Sequence, residues 1–235
     1  MNLKKIFVYF AVPFGVTLAL TAMYFSGVET LQRIVSPRII SMNPNAGREF
    51  GLLENLQNVI LLVMVAAAFM GSCRKKAAVE RWGFRLLGAF VVFVLLEEID
   101  YGLHYYEYLK DISWKETRGT FNLHNEGNTT QITKAILDVG MAVWFVLLPL
   151  AALKVDHPVL RYAAPDRYSI LTMVAMLVLR SIAHELGDRG FGMGGTINKN
   201  LSEFRELVIY YLFMLYVFEM AFRRVWPWAN EEQPD

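Results

Sequence analysis

Cysteine is nearly missing from this chain: Cys73 stands alone among 235 residues. An internal disulfide and any Cys-x-x-Cys redox or zinc pair are therefore excluded. Surplus charge is missing too, since 23 Lys and Arg face 22 Asp and Glu, a formal net charge of +1. That balance leaves no basic footprint for nucleic acid. There is no Ser/His/Asp order and no His-Glu-x-x-His pair. The glycine-rich run from Gly187 to Gly195 lacks the Gly-Lys-Ser/Thr of a phosphate loop and reads as a connector. Internal repeats, low-complexity tracts and a separate soluble domain are absent as well. A hydrolase built on this sequence would have to use a water activated by a carboxylate or a metal.

What the chain has is long apolar runs. Hydrophobic residues make up 55% of it and come in blocks of about twenty, the length that crosses roughly 30 Å of hydrocarbon. The blocks fall at about 6–25, 50–70, 82–100, 136–155, 168–187 and 203–222. They predict an all-α integral membrane protein, a single domain over 1–235 with about six transmembrane helices in one bundle. The first block follows two lysines, as a signal peptide does, but it is too long and lacks small residues at its end, so it reads as an uncleaved span. Pro13 predicts a kink there that neighbouring helices can accommodate.

Basic residues concentrate on cytoplasmic loops. With the amino terminus inside, the inner segments hold Lys4, Lys5, Arg74, Lys75, Lys76, Arg81, Arg85, Lys154, Arg161, Arg167, Arg223 and Arg224. The outer segments carry more acids than bases. Both termini are therefore expected in the cytoplasm. That orientation sends Glu54, Glu97, Glu98, Asp100, His104, His124, Glu126, Asp138, His184, Glu185, Glu203 and Glu206 to the outer boundary.

The densest polar stretch is Leu95-Leu96-Glu97-Glu98-Ile99-Asp100-Tyr101-Gly102-Leu103-His104, followed twenty positions on by Asn122-Leu123-His124-Asn125-Glu126. Glu54, Gln57 and Asn58 share one face of the second span by their i, i+3, i+4 spacing. A continuing helix would put Glu97 on one face with Asp100 or Tyr101 and with His104, and turn Glu98 toward Gly102 and Tyr105. Adjacent carboxylates in a poorly solvated place share a proton or recruit a cation. The competing reading is a solvated helix end whose Glu97 pairs with Arg or Lys.

Three of these stretches together resemble a bacterial multi-pass inner-membrane family of uncharacterised members. Its Glu-x-Gly-x-x-Glu pattern is similar to Glu49-Phe50-Gly51-Leu52-Leu53-Glu54, and its Glu-Glu-Ile-Ser-Trp-Gly-Gln to Glu97-Glu98-Ile99-Asp100-Tyr101-Gly102-Leu103. Its Asn-Leu-His-Asn stands at Asn122–Asn125, and a Glu-x-x-Glu opening a late span matches Glu203-Phe204-Arg205-Glu206. Asp100, Tyr101 and Leu103 replace its Ser, Trp and Gln, and Thr120 stands where an acid often precedes the Asn-Leu-His-Asn run. The resemblance carries over Glu54, Glu97, Glu98, Gly102, Asn122, His124, Asn125 and Glu206, but no activity. It implies the bacterial inner membrane, where the orientation read from the basic residues sets the polar site toward the periplasm.

The candidate catalytic residues are Glu97, Glu98 and His124, with Glu98 and His124 as candidate ligands of a divalent metal. His124 reads equally as part of an Asn-capped loop. Arg180 is the one basic residue well inside a span, so a carboxylate partner is expected, Glu97 or Glu98; binding of a phosphate or carboxylate ligand is the competitor. Glu54, Asn122, Asn125, His184 and Glu206 complete the set as substrate-binding or structural polar groups. Two functional classes follow. One is a hydrolase or transferase acting on a lipid or lipid-linked substrate; the other is a non-catalytic subunit or assembly protein with other membrane subunits as partners. A proton or cation pathway is disfavoured, because the third span below Glu97 has no polar relay toward the inner surface.

Overall fold

Pro13 and Pro149 each lack the amide hydrogen that a helix needs at that position, and both sit inside long apolar helices. The computed structural model, which describes residues 2–36, 51–110, 136, 138–192, 197 and 201–227, shows how the chain accommodates them. Its helices are α1 (Leu3–Phe25), α2 (Glu29–Val35), α3 (Leu52–Arg74), α4 (Ala78–Glu98), α5 (Leu103–Lys110), α6 (138–154), α7 (Pro158–Ala163), α8 (Ser169–Asp188) and α9 (Glu203–Phe222). The described residues contain no strand.

All six predicted blocks are helical, within a few residues of the expected bounds. Among the described residues, α1, α3 and α8 are long and apolar enough to cross a membrane. Charge separates α4 and α9 from these three: α4 carries Glu80, Arg81, Arg85, Glu97 and Glu98, and α9 carries Glu203, Arg205, Glu206 and Glu219. Only 22% of the most apolar window of α8 is buried, with Leu171, Val174, Leu177 and Val178 outward. An apolar helix so little covered by protein is one suited to lipid contact.

In α1 a π-helical turn at Phe7–Ala11 precedes Pro13, and the Val12 amide bonds back to the Phe7 carbonyl. The Val8 carbonyl thereby loses its α-helical donor, and Pro13 leaves the Tyr9 carbonyl without one. Side chains of other helices replace both donors. The Tyr211 hydroxyl of α9 donates to Val8 O at 3.0 Å, and Thr172 Oγ1 of α8 donates to Tyr9 O. The same construction recurs in α6. A π-helical turn at Val143–Leu147 precedes Pro149, the Leu148 amide reaches back to Val143 O, and Phe145 O accepts from Ser169 Oγ at 3.0 Å. Ser169 and Thr172 lie three residues apart on one face of α8, both fully buried.

Helix α9 runs through the middle of the packing. Its Val208, Ile209 and Leu212 meet Tyr9, Met141, Phe145, Met173 and Met176. Its Phe204 and Leu207 meet Leu20, Tyr24, Leu53 and Ala183. Its Val217 and Ala221 meet Leu61, Met64, Ala67, Ala68 and Phe84. Small residues bring α3 close here: a Cβ on Gly71 would stand 2.9 Å from the Ala221 Cβ.

At the basic end a polar network fastens four segments. Lys75 pairs with Glu80 at 3.1 Å, both side chains almost wholly buried, and Lys75 also donates to the Arg224 carbonyl. The Tyr162 hydroxyl donates to Glu80 as well, and burial together with this bond holds the phenol well above its ordinary range. Arg224 pairs with Glu219 at 3.0 Å and donates to the carbonyls of Tyr162 and, at 2.5 Å, Ala164.

Two outcomes follow. Thr172→Val should lower unfolding stability by roughly 1 kcal/mol, and that loss should shrink in a Pro13→Ala background, where position 13 regains an N–H for the Tyr9 carbonyl. Equilibrium unfolding of the four proteins in detergent measures the coupling; additive losses would refute the donor-replacement account. Glu80→Ala, which strands a buried ammonium, should cost about 3–5 kcal/mol, with much of it recovered in Lys75→Met/Glu80→Ala. Thermal melts of both variants check the order.

Candidate polar site at the acidic end

Helix α3 starts after Gly51, and the glycine is required there: a Cβ would stand 1.9 Å from the Val35 carbonyl oxygen. Glu54, three residues on, folds back so that Oε2 accepts the Gly51 amide at 2.7 Å. This is the reciprocal half of a capping box, and it gives the Gly-x-x-Glu spacing a structural reason. The other carboxylate oxygen, Oε1, is buried with no hydrogen-bond partner among the described residues. Asn58 Oδ1, one turn along, is in the same condition. Asn58 Nδ2 donates to Tyr105 Oη at 3.3 Å, and that hydroxyl in turn donates to Asn55 Oδ1 at 3.4 Å.

Helix α4 ends at Glu98. Asp100 and Tyr101 take φ of 49° and 52°, and Gly102 takes 90°. Two consecutive non-glycine residues in the left-handed region are costly, and such strain concentrates where a chain must place side chains for a purpose. The turn overrides the expected helical faces beyond Glu98. Tyr101 still reaches Glu97, donating to Oε1 at 2.5 Å; this bond raises the phenol above its ordinary pKa. Glu98 accepts from Tyr210 Oη of α9 at 2.6 Å.

Helix α9 opens with Glu203 and Glu206, about two turns and one turn before Tyr210. Gln57 Nε2 of α3 donates to both the backbone carbonyl (3.2 Å) and Oε2 (3.3 Å) of Glu203. Glu98 lies in the electrostatic field of Glu206 and Glu97, and Glu54 in that of Glu98. Carboxylates from the start of α3, the end of α4 and the start of α9 therefore converge. Of the expected site residues, Glu54, Glu97, Glu98 and Glu206 are brought together. The site adds Gln57, Glu203 and Tyr210.

Arg180 departs from expectation. Among the described residues it forms no ion pair with Glu97 or Glu98, and its Nε has no hydrogen-bond partner. The buried cation that does find a carboxylate at this end is Arg205, whose Nη1 stands 2.5 Å from Asp138 Oδ1 and so ties α9 to α6. Arg205 Nε and His184 Nε2 are also buried without partners. Asn122, His124 and Asn125 lie outside the described residues, as does the side chain of His104.

Tyr210 reads in sequence as a packing and interface residue, because nothing local marks its hydroxyl. The signal is its i+4 spacing from Glu206, which sets a hydroxyl beside an acid on one face. The Arg205–Asp138 pair joins residues far apart in sequence, and no spacing announces it.

Chemically, the cluster offers several carboxylates in one poorly hydrated place, hydroxyl donors on two of them, and a bare acceptor on a third. That set can hold and exchange protons with a bound group. Among the described residues no three His, Cys, Asp or Glu side chains are disposed to hold a metal ion. The chain matches no family model, no curated protein and no solved structure.

Proposed function

We propose that the chain is a six-span protein of the bacterial inner membrane with both termini in the cytoplasm, and that its acidic end is a catalytic site at the outer boundary. The reaction is hydrolysis or group transfer on a lipid or lipid-linked substrate. The observation that carries this reading is the convergence of carboxylates from three helices, Glu54 beside Glu98 and Glu98 beside Glu206, with Glu54 Oε1 lacking a donor among the described residues. Structural carboxylates inside a protein are ordinarily satisfied, so an unfilled acceptor beside two further acids is a place for a proton-bearing or cationic group.

In this reading Glu98 exchanges the proton, oriented by Tyr210, and Glu97 serves beside it under Tyr101. Arg180 and His184, with buried nitrogens to spare, recognise an anionic part of the substrate. His124, flanked in sequence by Asn122 and Asn125, acts as base or, with Glu98, as ligand to a divalent metal. The Asn-Leu-His-Asn and Glu-Glu-Ile stretches, which resemble the uncharacterised inner-membrane family, support this choice of residues.

Glu98→Gln keeps an acceptor for Tyr210, so the fold should survive, while turnover falls at least about 100-fold through loss of the acid–base group. Mass spectrometry of lipid extracts from cells carrying wild type, Glu98→Gln or His124→Ala, with metal analysis of each purified protein, is the test. Identical lipid profiles in all three, at equal protein levels and melting temperatures, would eliminate the enzyme and leave a structural subunit.

A further inference from the structure

A second polar feature lies at the opposite end of the bundle, away from the carboxylates. An open cleft of about 1010 Å³ is formed where the start of α1, the end of α6, the segment joining α7 to α8 and the residues after α9 come together. Lys4, Lys5, Arg161, Arg167 and Arg224 line it, with Asp166 as the acid.

Three of these cations are already engaged. Lys5 pairs with Asp166, Arg161 with Asp156 at 2.9 Å, and Arg224 with Glu219. Lys4 and Arg167 have no carboxylate partner among the described residues, and both are exposed. The Arg167 guanidinium lies 5.5 Å from the centre of the Tyr168 ring, which holds it at the rim. The cleft therefore keeps two uncompensated positive charges.

Its other wall is apolar. Leu3, Pro149, Ala152, Leu153 and Pro165 line it, and Leu3 and Leu153 are 75% and 60% exposed. The apolar surface continues away from the cleft along the flanks of α1 and α6 through Phe7, Leu147 and Leu150. Two spare cations above an uncovered apolar track match an amphiphile with an anionic head. A free anion would use the charges and leave the track bare.

We infer that this cleft binds the phosphate of an anionic phospholipid, with Lys4 and Arg167 on the headgroup and the acyl chains along α1 and α6. Basic pockets between transmembrane helices take such headgroups, and a paired charge at the membrane surface supplies most of the preference over a zwitterionic lipid. The site is separate from the acidic end, and its occupancy does not depend on what that end does.

The full chain in detergent, titrated with phosphatidylglycerol or phosphatidylcholine and read by native mass spectrometry, tests this. Phosphatidylglycerol should bind about tenfold more tightly, and Lys4→Gln/Arg167→Gln should erase most of that margin. Lys76→Gln/Lys154→Gln removes two exposed lysines at the same end but outside the cleft, and should keep it. Equal binding of the two lipids, or equal loss in the control pair, would overturn the site. Displacement of phosphatidylglycerol by millimolar inorganic phosphate would overturn the lipid assignment in favour of a soluble anion. Because Lys4 and Arg167 are exposed and unpaired, unchanged melting temperatures are expected in every variant.

Discussion

A backbone carbonyl stripped of its donor inside an apolar bundle has to find another one, and this structure meets that demand twice with the same device. Pro13 and Pro149 each free a carbonyl four residues earlier, and each follows a π-helical turn. The two replacement hydroxyls, Thr172 and Ser169, sit on one face at the beginning of α8. A single turn of one helix thus fixes the rotation and height of two others. Both bonds are buried away from solvent, so they specify the arrangement more than their modest individual energies convey.

From that fixed point α9 passes through the centre and its two ends do different work. At the basic end the buried groups are partnered: Lys75 with Glu80, Arg224 with Glu219 and two carbonyls, Tyr162 with Glu80. Buried pairs of this kind contribute little net stability but are costly to break, and they hold the ends of α3, α7 and α9 in one arrangement. At the acidic end several groups lack a partner among the described residues, namely Glu54 Oε1, Asn58 Oδ1, Arg180 Nε and His184 Nε2. Each unfilled group forgoes stability that a closed network would keep.

Glu54 shows how one residue can belong to both categories. Its Oε2 caps the amide of Gly51, which can be only glycine because of the Val35 carbonyl beside it. Its Oε1 has no donor among the described residues, and the carboxyl lies in the field of Glu98. The cap fixes the side chain, and a fixed carboxylate is one whose second oxygen can be aimed. The strained turn at Asp100 and Tyr101 has a similar consequence, since it ends α4 and returns Tyr101 to Glu97.

The sequence by itself determined the six helical blocks, because apolar runs of about twenty residues satisfy their backbone within themselves as helices, three of them long and apolar enough to cross a membrane. It also determined the sorting of acids and bases to opposite helix ends, and the shared face of Glu54 and Gln57. Periodicity could not carry past Glu98, because two left-handed residues redirect the chain where a helix would have continued. Tertiary structure alone decided that Tyr210 serves Glu98, that Arg205 and not Arg180 holds a carboxylate, and that hydroxyls of α8 replace the amides the prolines lack. Each of these joins groups distant in sequence, and the local pattern around a residue records its own helix face but not the side chain that another helix sets against it.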